Sequence, residues 1–385
     1  MLLPHLVVKN AFRHKLRTTL TVVGIVVAIT AFGLLRTIVD AWYSGANASS
    51  SARLVTRSSV SLVFPLPLTY AQKLRQVPGV AAVTWANWFG GVYVSERNFF
   101  PQFAVDAPTY LDIYPEILLS AEERNAFLAD RKGAIVGRKL ADKHGWKTGD
   151  QVPLRGTIYP GTWTFTLRGI YDGADATTDT STMFFHWDLL NEMIKRTYPR
   201  RGDQTGVFIE RLADPQQAAE VSQAIDATFR NSLAETLTET EKAFQLGFVA
   251  MAETILLAIE AVSFVVIVII MAVMANTMAM TARERSAEYA TLKALGFGGG
   301  FVAALIFAES TAIALVGGVL GIALTFPLAD AFGATAGSLL PSVAVHGETV
   351  ALQAVAALLV GLVAASLPAW RAARTRIVDG LRAVA

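Results

Sequence analysis

The chain has 385 residues, of which 53% are apolar and only 17% are charged, so it is more apolar than soluble globular proteins, in which about 25% of residues are charged. Its net charge of +2 comes from 33 basic and 31 acidic residues that form no basic patch, which argues against nucleic acid as the main partner. The chain has no cysteine, which excludes disulfides, thiolate catalysis and cysteine-based metal sites.

Four charge-free stretches are long enough to cross a membrane. A bilayer core of about 30 Å requires about 20 apolar residues in a helix. The charge-free runs cover residues 18–35, 261–282, 310–329 and 349–370. With the apolar residues beside them, these runs predict transmembrane helices at residues 18–42, 247–282, 301–330 and 349–370.

The basic residues beside these helices predict the orientation. Lysine and arginine occur in residues 1–17, 283–300 and 371–385, whereas residues 331–348 contain neither. Because cytoplasmic segments carry the excess of basic residues, both termini are expected in the cytoplasm and 331–348 outside. The first helix has the basic start of a signal peptide, but its apolar run is long and no Ala-x-Ala site follows. We therefore interpret it as an uncleaved anchor.

Residues 43–246 are too numerous for a loop and predict an extracytoplasmic α+β domain. Period-two patterns and turn residues predict its strands, and helical spacing predicts its helices. The expected strands cover residues 55–64, 80–85, 133–137, 151–154, 163–171 and 206–212. The expected helices cover residues 69–76, 138–144 and 184–198.

A further helix is expected to open at Pro215, a residue favoured at the first helical position. Its pattern continues almost unbroken to the second transmembrane helix. A single helix over residues 215–282 would be about 100 Å long, so we expect a break near Gly247. The helical pattern from about residue 215 then predicts a helical stalk between the domain and the membrane.

The sequence contains no recognisable active site, and we do not expect an enzyme. It has no phosphate-binding loop and no Gly-x-Ser-x-Gly motif. Its five histidines are scattered, so no metal site and no directly bound cofactor are expected. One group resembles a set of metal ligands, but its small and polar neighbours favour a solvated loop: Asp172, Asp175, Asp179 and His186.

The predicted membrane helices contain few unusual residues. Glu309 is an intramembrane carboxylate, expected to form a hydrogen bond in the bundle or to snorkel, with a proton or substrate relay as the alternative. Gly317, Gly321 and Gly361 belong to faces of small residues, interpreted as helix packing rather than as a hinge. The aromatic residues of segment 85–103 are interpreted as core, with a partner or lipid surface as the alternative.

The segment 281–296 leaves the second helix with alternating charges and ends at a glycine. This pattern fits a solvated turn, and it equally fits a short helix that docks on a cytoplasmic partner. Composition does not decide between these two interpretations.

Three separated motifs resemble the MacB/FtsX-like family of ABC permeases. Residues 11–25 (AFRHKLRTTLTVVGI) resemble the start of that family, and residues 283–296 resemble its segment after the second span, with Glu309 and Gly317 following as in the family. Residues 368–382 resemble its end, although Ile377 and Gly380 replace the usual proline and alanine. Residues 133–152 also resemble the family's large insert, so the resemblance covers the whole chain.

The resemblance implies a permease subunit without a fused ATPase domain, in a bacterial cytoplasmic membrane. Two permeases, identical or different, would pair and bind two copies of a separate ATPase subunit, which would hold ATP and magnesium. The residues expected to make that ATPase contact are Arg283, Glu284, Arg285, Glu288, Lys293 and Gly296.

Two functions follow from the resemblance. The first is export or extraction of a hydrophobic substrate, a peptide or a lipoprotein, with or without a periplasmic adaptor. The second is mechanical regulation of an extracytoplasmic protein such as a cell-wall hydrolase, without a transported solute. A membrane enzyme is a third class that no group of residues supports.

Overall fold

The computed structural model describes residues 13, 15–175, 177–336 and 343–378. Most of the predicted segment 1–17, the centre of the loop 331–348 and the end of the tail 371–385 lie outside these residues. The described chain divides into a helical unit and an α+β unit. The helical unit comprises the chain up to Asp40, then Glu253–Thr335 and the chain from Val343 on; the α+β unit contains Ala41–Ala252.

Four long apolar helices form the helical unit, as the sequence predicts. Each contains a stretch with a mean hydropathy between 2.2 and 2.9, and each is long enough to span a bilayer. They are α1 (Lys15–Ala48), α9 (Glu253–Glu284), α11 (Gly299–Ala336) and α12 (Gly347–Arg374). A short helix, α10 (Ser286–Ala294), lies between α9 and α11. We call it the loop helix.

Small residues allow the long helices to approach closely. A Cβ atom on Gly317 would lie 2.7 Å from the Ile25 side chain, and one on Gly321 would lie 2.9 Å from Ile29. On the next interface, a Cβ on Gly361 would lie 2.9 Å from Ala314. Since real Cβ contacts are longer, any larger residue would force α1, α11 and α12 apart.

The α+β unit is built on one large mixed sheet. Its strand order is β13-β1-β12-β3-β5-β10-β7-β9-β8-β4, with β6 paired to β9 and a separate β2–β11 pair. The strands are β1 (Arg53–Ser58), β2 (Leu66–Pro67), β3 (Val80–Trp88), β4 (Gly91–Val92), β5 (Gln102–Val105), β6 (Ile117–Leu118), β7 (Gly133–Gly137), β8 (Gln151–Gly156), β9 (Gly161–Gly173), β10 (Met183–His186), β11 (Gln204–Thr205), β12 (Val207–Leu212) and β13 (Thr236–Thr240).

Short helices cover this sheet and bury apolar clusters against it. They are α2 (Tyr70–Leu74), α3 (Ala107–Ile113), α4 (Ala121–Ala129), α5 (Arg138–His144), α6 (Trp187–Thr197), α7 (Ala218–Thr228) and α8 (Glu241–Met251). Helix α4 begins with a capping box, in which Ser120 and Glu123 exchange hydrogen bonds. Phe89 and Phe100 of the aromatic segment are fully buried in the largest cluster, whereas Trp88 is 40% exposed. The core interpretation therefore holds for part of that segment only.

Two helix predictions are wrong in part in the α+β unit, although α6 (Trp187–Thr197) covers most of the first. The expected helix 184–198 begins as strand β10, because Phe184 and Phe185 are buried between strands β5 and β7. The helical pattern from Pro215 is interrupted by strand β13, which pairs with β1. A second interruption lies at Ala252, where α8 ends, and Gly247 is inside that helix. Burial and strand pairing, both long-range effects, override the local helical pattern.

A buried ion-pair cluster joins strand β1 to the start of helix α8, directly after strand β13. Arg53 on β1 donates to Glu241 at 2.7 Å and to Glu116 at 2.6 Å, and its side chain is 7% exposed. The Tyr114 hydroxyl donates to Glu241 at 3.0 Å, and the Arg53 guanidinium lies over the Tyr114 ring. The cluster joins the chain where it enters the unit to the helix by which it leaves.

Glu210 on strand β12 is an unusual core residue. It is fully buried between Leu54 and Val83 on the neighbouring strands, and neither carboxylate oxygen has a hydrogen-bond partner among the described residues. The nearby Thr56 hydroxyl bonds to Thr238 instead. Burial raises the pKa of Glu210 to about 8, because the charged form loses its solvation.

We predict that Glu210→Gln stabilises the protein at neutral pH. A raised pKa in the folded state means that folding binds a proton, so stability falls as the pH rises from about 4.5 towards 8. At pH 7 the substitution should stabilise the folded state by about 3 kcal/mol. Thermal unfolding of the detergent-purified protein at pH 5 and pH 8 measures this difference. Glu220→Gln, at an exposed position, is the control, and equal pH dependence in both variants would contradict the prediction.

Candidate functional site

The loop helix has a defined start and a defined end. Arg285 is its N-cap residue, directly after α9 ends at Glu284. Gly296 has a φ of +98°, a backbone conformation that glycine adopts readily and that other residues rarely adopt. The amide of Phe297 donates back to the Leu292 carbonyl at 3.1 Å, which closes the last turn. The segment 281–296 thus contains the end of α9 and the loop helix, which ends at Gly296.

A buried ion pair joins the start of the loop helix to α11. Arg285 Nη1 donates to both carboxylate oxygens of Glu309, at 2.8 and 2.7 Å. The two side chains are 7% and 3% exposed. Burial alone would lower the pKa of Arg285, but the Glu309 carboxylate more than offsets this and raises it. The charge of Glu309 is therefore compensated within the bundle.

Two arginines, Arg17 on α1 and Arg13 just before it, form ion pairs with the end of α9 and with the loop helix. Arg17 forms a bidentate pair with Glu284, at 2.7 and 2.8 Å. Arg13 pairs with Glu288 on the loop helix, and Arg285 donates to Glu288 from the other side at 2.8 Å. Partial burial would raise the pKa of Glu288, but these two arginines lower it below its usual range.

Lys293 caps the end of the last long helix. Its Nζ donates to the carbonyl oxygens of Ala372, Ala373 and Thr375 at 2.9, 2.9 and 2.8 Å. A cation in this position satisfies the free carbonyls of α12 and complements its dipole. Polar contacts therefore attach the loop helix to α11, to α12 and to Arg13, and attach the end of α9 to α1.

The structure separates the six residues expected to contact an ATPase. Arg285, Glu288, Glu284 and Lys293 take part in contacts within the chain, and Arg285 is buried. Arg283 and Gly296 are exposed. Beside Gly296 lie two apolar residues that sequence reasoning missed, Leu295 at 72% and Phe297 at 43% exposure. The signal in the sequence was the apolar residue on each side of Gly296, the glycine that ends the helix.

The α+β unit contains a concave cavity of 2150 Å³. Many of its lining side chains are aromatic or aliphatic, and several are exposed to solvent. They include Phe64, Trp88, Ile158, Tyr198, Leu233 and Phe248. Exposed apolar groups gathered in a concavity are typical of binding sites.

The four residues that resemble metal ligands do not form one site. Asp172 pairs with Arg138 at 3.0 Å, and Asp175 accepts hydrogen bonds from the amides of Thr177 and Thr178. His186 Nε2 is 2.8 Å from the Phe127 carbonyl oxygen, in the core. Within the described ranges, no cluster of three or more His, Asp or Glu side chains is arranged to hold a metal.

We predict that breaking the Arg285–Glu309 pair destabilises the protein more than removing it. Glu309→Leu removes the buried partner of the Arg285 guanidinium and leaves it only the partly exposed Glu288; losing one partner of a buried pair costs about 3–5 kcal/mol. The double variant Arg285→Leu/Glu309→Leu should recover much of this loss, because no buried charge remains. Thermal unfolding in detergent compares the parent, Arg285→Leu, Glu309→Leu and the double variant. Additive losses in the double variant would contradict a direct pairing.

Comparisons with known proteins agree with this architecture. The profile of the FtsX-like permease C-terminal family matches residues 260–377, and that of the MacB-like periplasmic core domain matches residues 18–228. An uncharacterized ABC transporter permease of Methanocaldococcus jannaschii is 22% identical over 401 aligned positions, covering 97% of this chain and 96% of that protein.

Two solved structures are also similar. The extracellular domain of the noncanonic ABC-type transporter YknZ from Gram-positive bacteria matches 49% of this chain and 100% of its own, with 12% identity and a TM-score of 0.35. The periplasmic region of MacB from Actinobacillus actinomycetemcomitans matches 51% and 92%, with 8% identity and a TM-score of 0.35. On the family profiles, which together span most of its length, the chain belongs to the FtsX-like ABC transporter permeases with a MacB-like periplasmic core domain.

Proposed function

We propose that this permease is the membrane subunit of an ABC transporter whose separate ATPase subunits drive movement of the α+β unit. The observation that carries the proposal is the loop helix, which directly follows α9, is held by polar contacts to α11 and α12, and still presents an exposed apolar end. A rigid element with a free surface can receive a displacement and pass it on to the helices that hold it. Two permeases would pair around two ATPase subunits.

The ATPase contact is proposed at Leu295 and Phe297, together with Arg283 and Gly296. Apolar anchors at the centre of an interface supply most of its binding energy. The remaining predicted contact residues, Glu284, Arg285, Glu288 and Lys293, would act by holding the loop helix in place. ATP and magnesium would bind to the partner subunit.

The proposed orientation places both termini and the loop helix in the cytoplasm, and the α+β unit outside a bacterial cytoplasmic membrane. The basic residues Arg13, Lys15 and Arg17 lie at the same end of α1 as the loop helix contacts, which agrees with the positive-inside rule. The cavity of the α+β unit would then face the outer compartment.

A hydrophobic substrate is the proposed cargo, which includes the apolar part of a peptide or lipoprotein. The cavity supports this choice, since its exposed aromatic side chains gain free energy when an apolar ligand covers them. Export or extraction from the outer side is the direction that such a site serves.

The orientation is tested with single cysteines, for which the cysteine-free sequence is a clean background. A membrane-impermeant maleimide should label Leu62→Cys in intact spheroplasts, because Leu62 is exposed in the α+β unit. Leu295→Cys should react only after the membrane is opened. Leu233→Cys is a second outer control. Labelling of Leu295→Cys in intact spheroplasts would contradict the orientation.

The ATPase contact is tested by Leu295→Glu/Phe297→Glu. A buried charge in an apolar contact should lower ATPase binding at least about tenfold, and stimulation of ATP hydrolysis should fall with it. Co-purification from mild detergent and ATPase assays with reconstituted permease measure both effects. Leu118→Glu, exposed in the α+β unit but outside the cavity lining, should change neither. Normal binding by the double variant would place the contact elsewhere.

A further inference from the structure

Ion pairs connect the first long helix to the second at both ends of the helical unit. Arg17 pairs with Glu284 at 2.7 Å, and Arg13 pairs with Glu288 just beyond it. At the other end Arg36 lies 3.5 Å from Glu260. The arginine always lies on α1 or just before it, and the glutamate always lies on α9 or on the loop helix. As the arginine number rises the glutamate number falls, as antiparallel neighbours require.

These pairs differ in how well they are held. Arg17 and Glu284 are 26% and 36% exposed and bond through both oxygens, so this pair is directional and partly shielded from solvent. Arg17 also contacts the Thr281 hydroxyl at 3.3 Å. Arg13 and Glu288 are more exposed, and exposed pairs contribute little. The contact between Arg17 and Glu284 is therefore the principal one.

Two further polar contacts of this region join the loop helix to the other long helices. Arg285 holds the loop helix to α11, and Lys293 holds it to α12. Arg13 and Arg17 thus connect α1 to a set of helices, α9, the loop helix, α11 and α12, that other contacts already hold together. Helix α1 continues without a break to Ala48, so its last residues, from Ala41 on, already belong to the α+β unit. Helix α9 follows directly after Ala252, where that unit ends.

We propose that Arg17, assisted by Arg13, is a latch that makes α1 move together with α9 and the loop helix. Both chain connections to the α+β unit are then driven as one body when the loop helix is displaced. Arg13 and Arg17 are positioning residues, since they hold the loop helix in place and need no contact with the motor. The displacement itself rests on the proposed function, whereas the latch does not.

The latch is tested first in the permease alone, without an ATPase subunit. Spin labels on Leu16→Cys and Thr291→Cys, both exposed, report the distance between the start of α1 and the loop helix in the purified permease. The unmodified latch should give one narrow distance distribution. Arg17→Glu and Glu284→Arg should each broaden it, raising the ratio of displaced to latched distances about two- to fivefold. The charge swap Arg17→Glu/Glu284→Arg should narrow it again.

Lys15→Glu is the matched control, because it makes the same charge change two residues away. Lys15 is exposed, and among the described residues it has no ion-pair partner. The distribution should remain narrow in this variant. Unchanged distances in both Arg17→Glu and Glu284→Arg, or failure of the swap to restore them, would overturn the latch.

The second readout is ATPase stimulation by the same variants. Stimulation should fall in Arg17→Glu with ATPase binding retained, and the swap should recover at least half of it. If the unmodified permease stimulates no ATPase, the proposed function fails while the spin-label distances still decide the latch. If Arg17→Glu broadens the distances but stimulates normally, the latch exists without serving coupling, and that result would overturn this part of the proposal.

Discussion

The buried pair between Arg285 and Glu309 is the constraint on which the arrangement of the helical unit depends. Both side chains are almost fully enclosed, and neither charge could stay there alone at an acceptable cost. The pair therefore fixes where the loop helix starts relative to α11. Because Arg285 also donates to Glu288, the same guanidinium orients the face that Arg13 contacts. One buried residue thus organises the polar contacts around the loop helix.

The charged side chains at and beside the loop helix consequently pair with other groups of the same chain. A charge-rich segment next to a membrane helix suggests a charged docking surface, yet most of its ionic groups already have intramolecular partners. What remains exposed at its end is apolar, in Leu295 and Phe297. Electrostatics then positions the helix, while the hydrophobic effect is available for binding. This division of roles is reasonable, since paired charges add little to affinity and buried apolar groups add much.

The sequence predicted the features that depend on local composition. The four apolar helices, strand β7 and helix α5 all follow from hydropathy or from glycine and turn residues. Strand β10 was mistaken for a helix, and strand β13 was missed, because their assignment depends on distant partners, β5 and β7 for one and β1 for the other. Two of the residues predicted to contact an ATPase, Glu284 and Glu288, form ion pairs within the chain. Their partners Arg13 and Arg17 lie more than 260 residues away, and no local pattern could reveal that pairing.

The edge of the main sheet shows how a displacement could enter the α+β unit. Strand β1 is the first strand after α1, strand β13 is the last before α8, and the two are antiparallel neighbours. Arg53 and Glu241, at the end of that pair, hold them together with a buried ion pair. Both chain connections of the unit therefore meet at one strand pair rather than at opposite ends of the sheet. A pair of helices moving as one body would shift this edge as a whole, and strand β12, which carries the uncompensated Glu210, is the next strand inward. Neither carboxylate oxygen of Glu210 has a hydrogen-bond partner among the described residues, so no hydrogen bond of that side chain opposes such a shift.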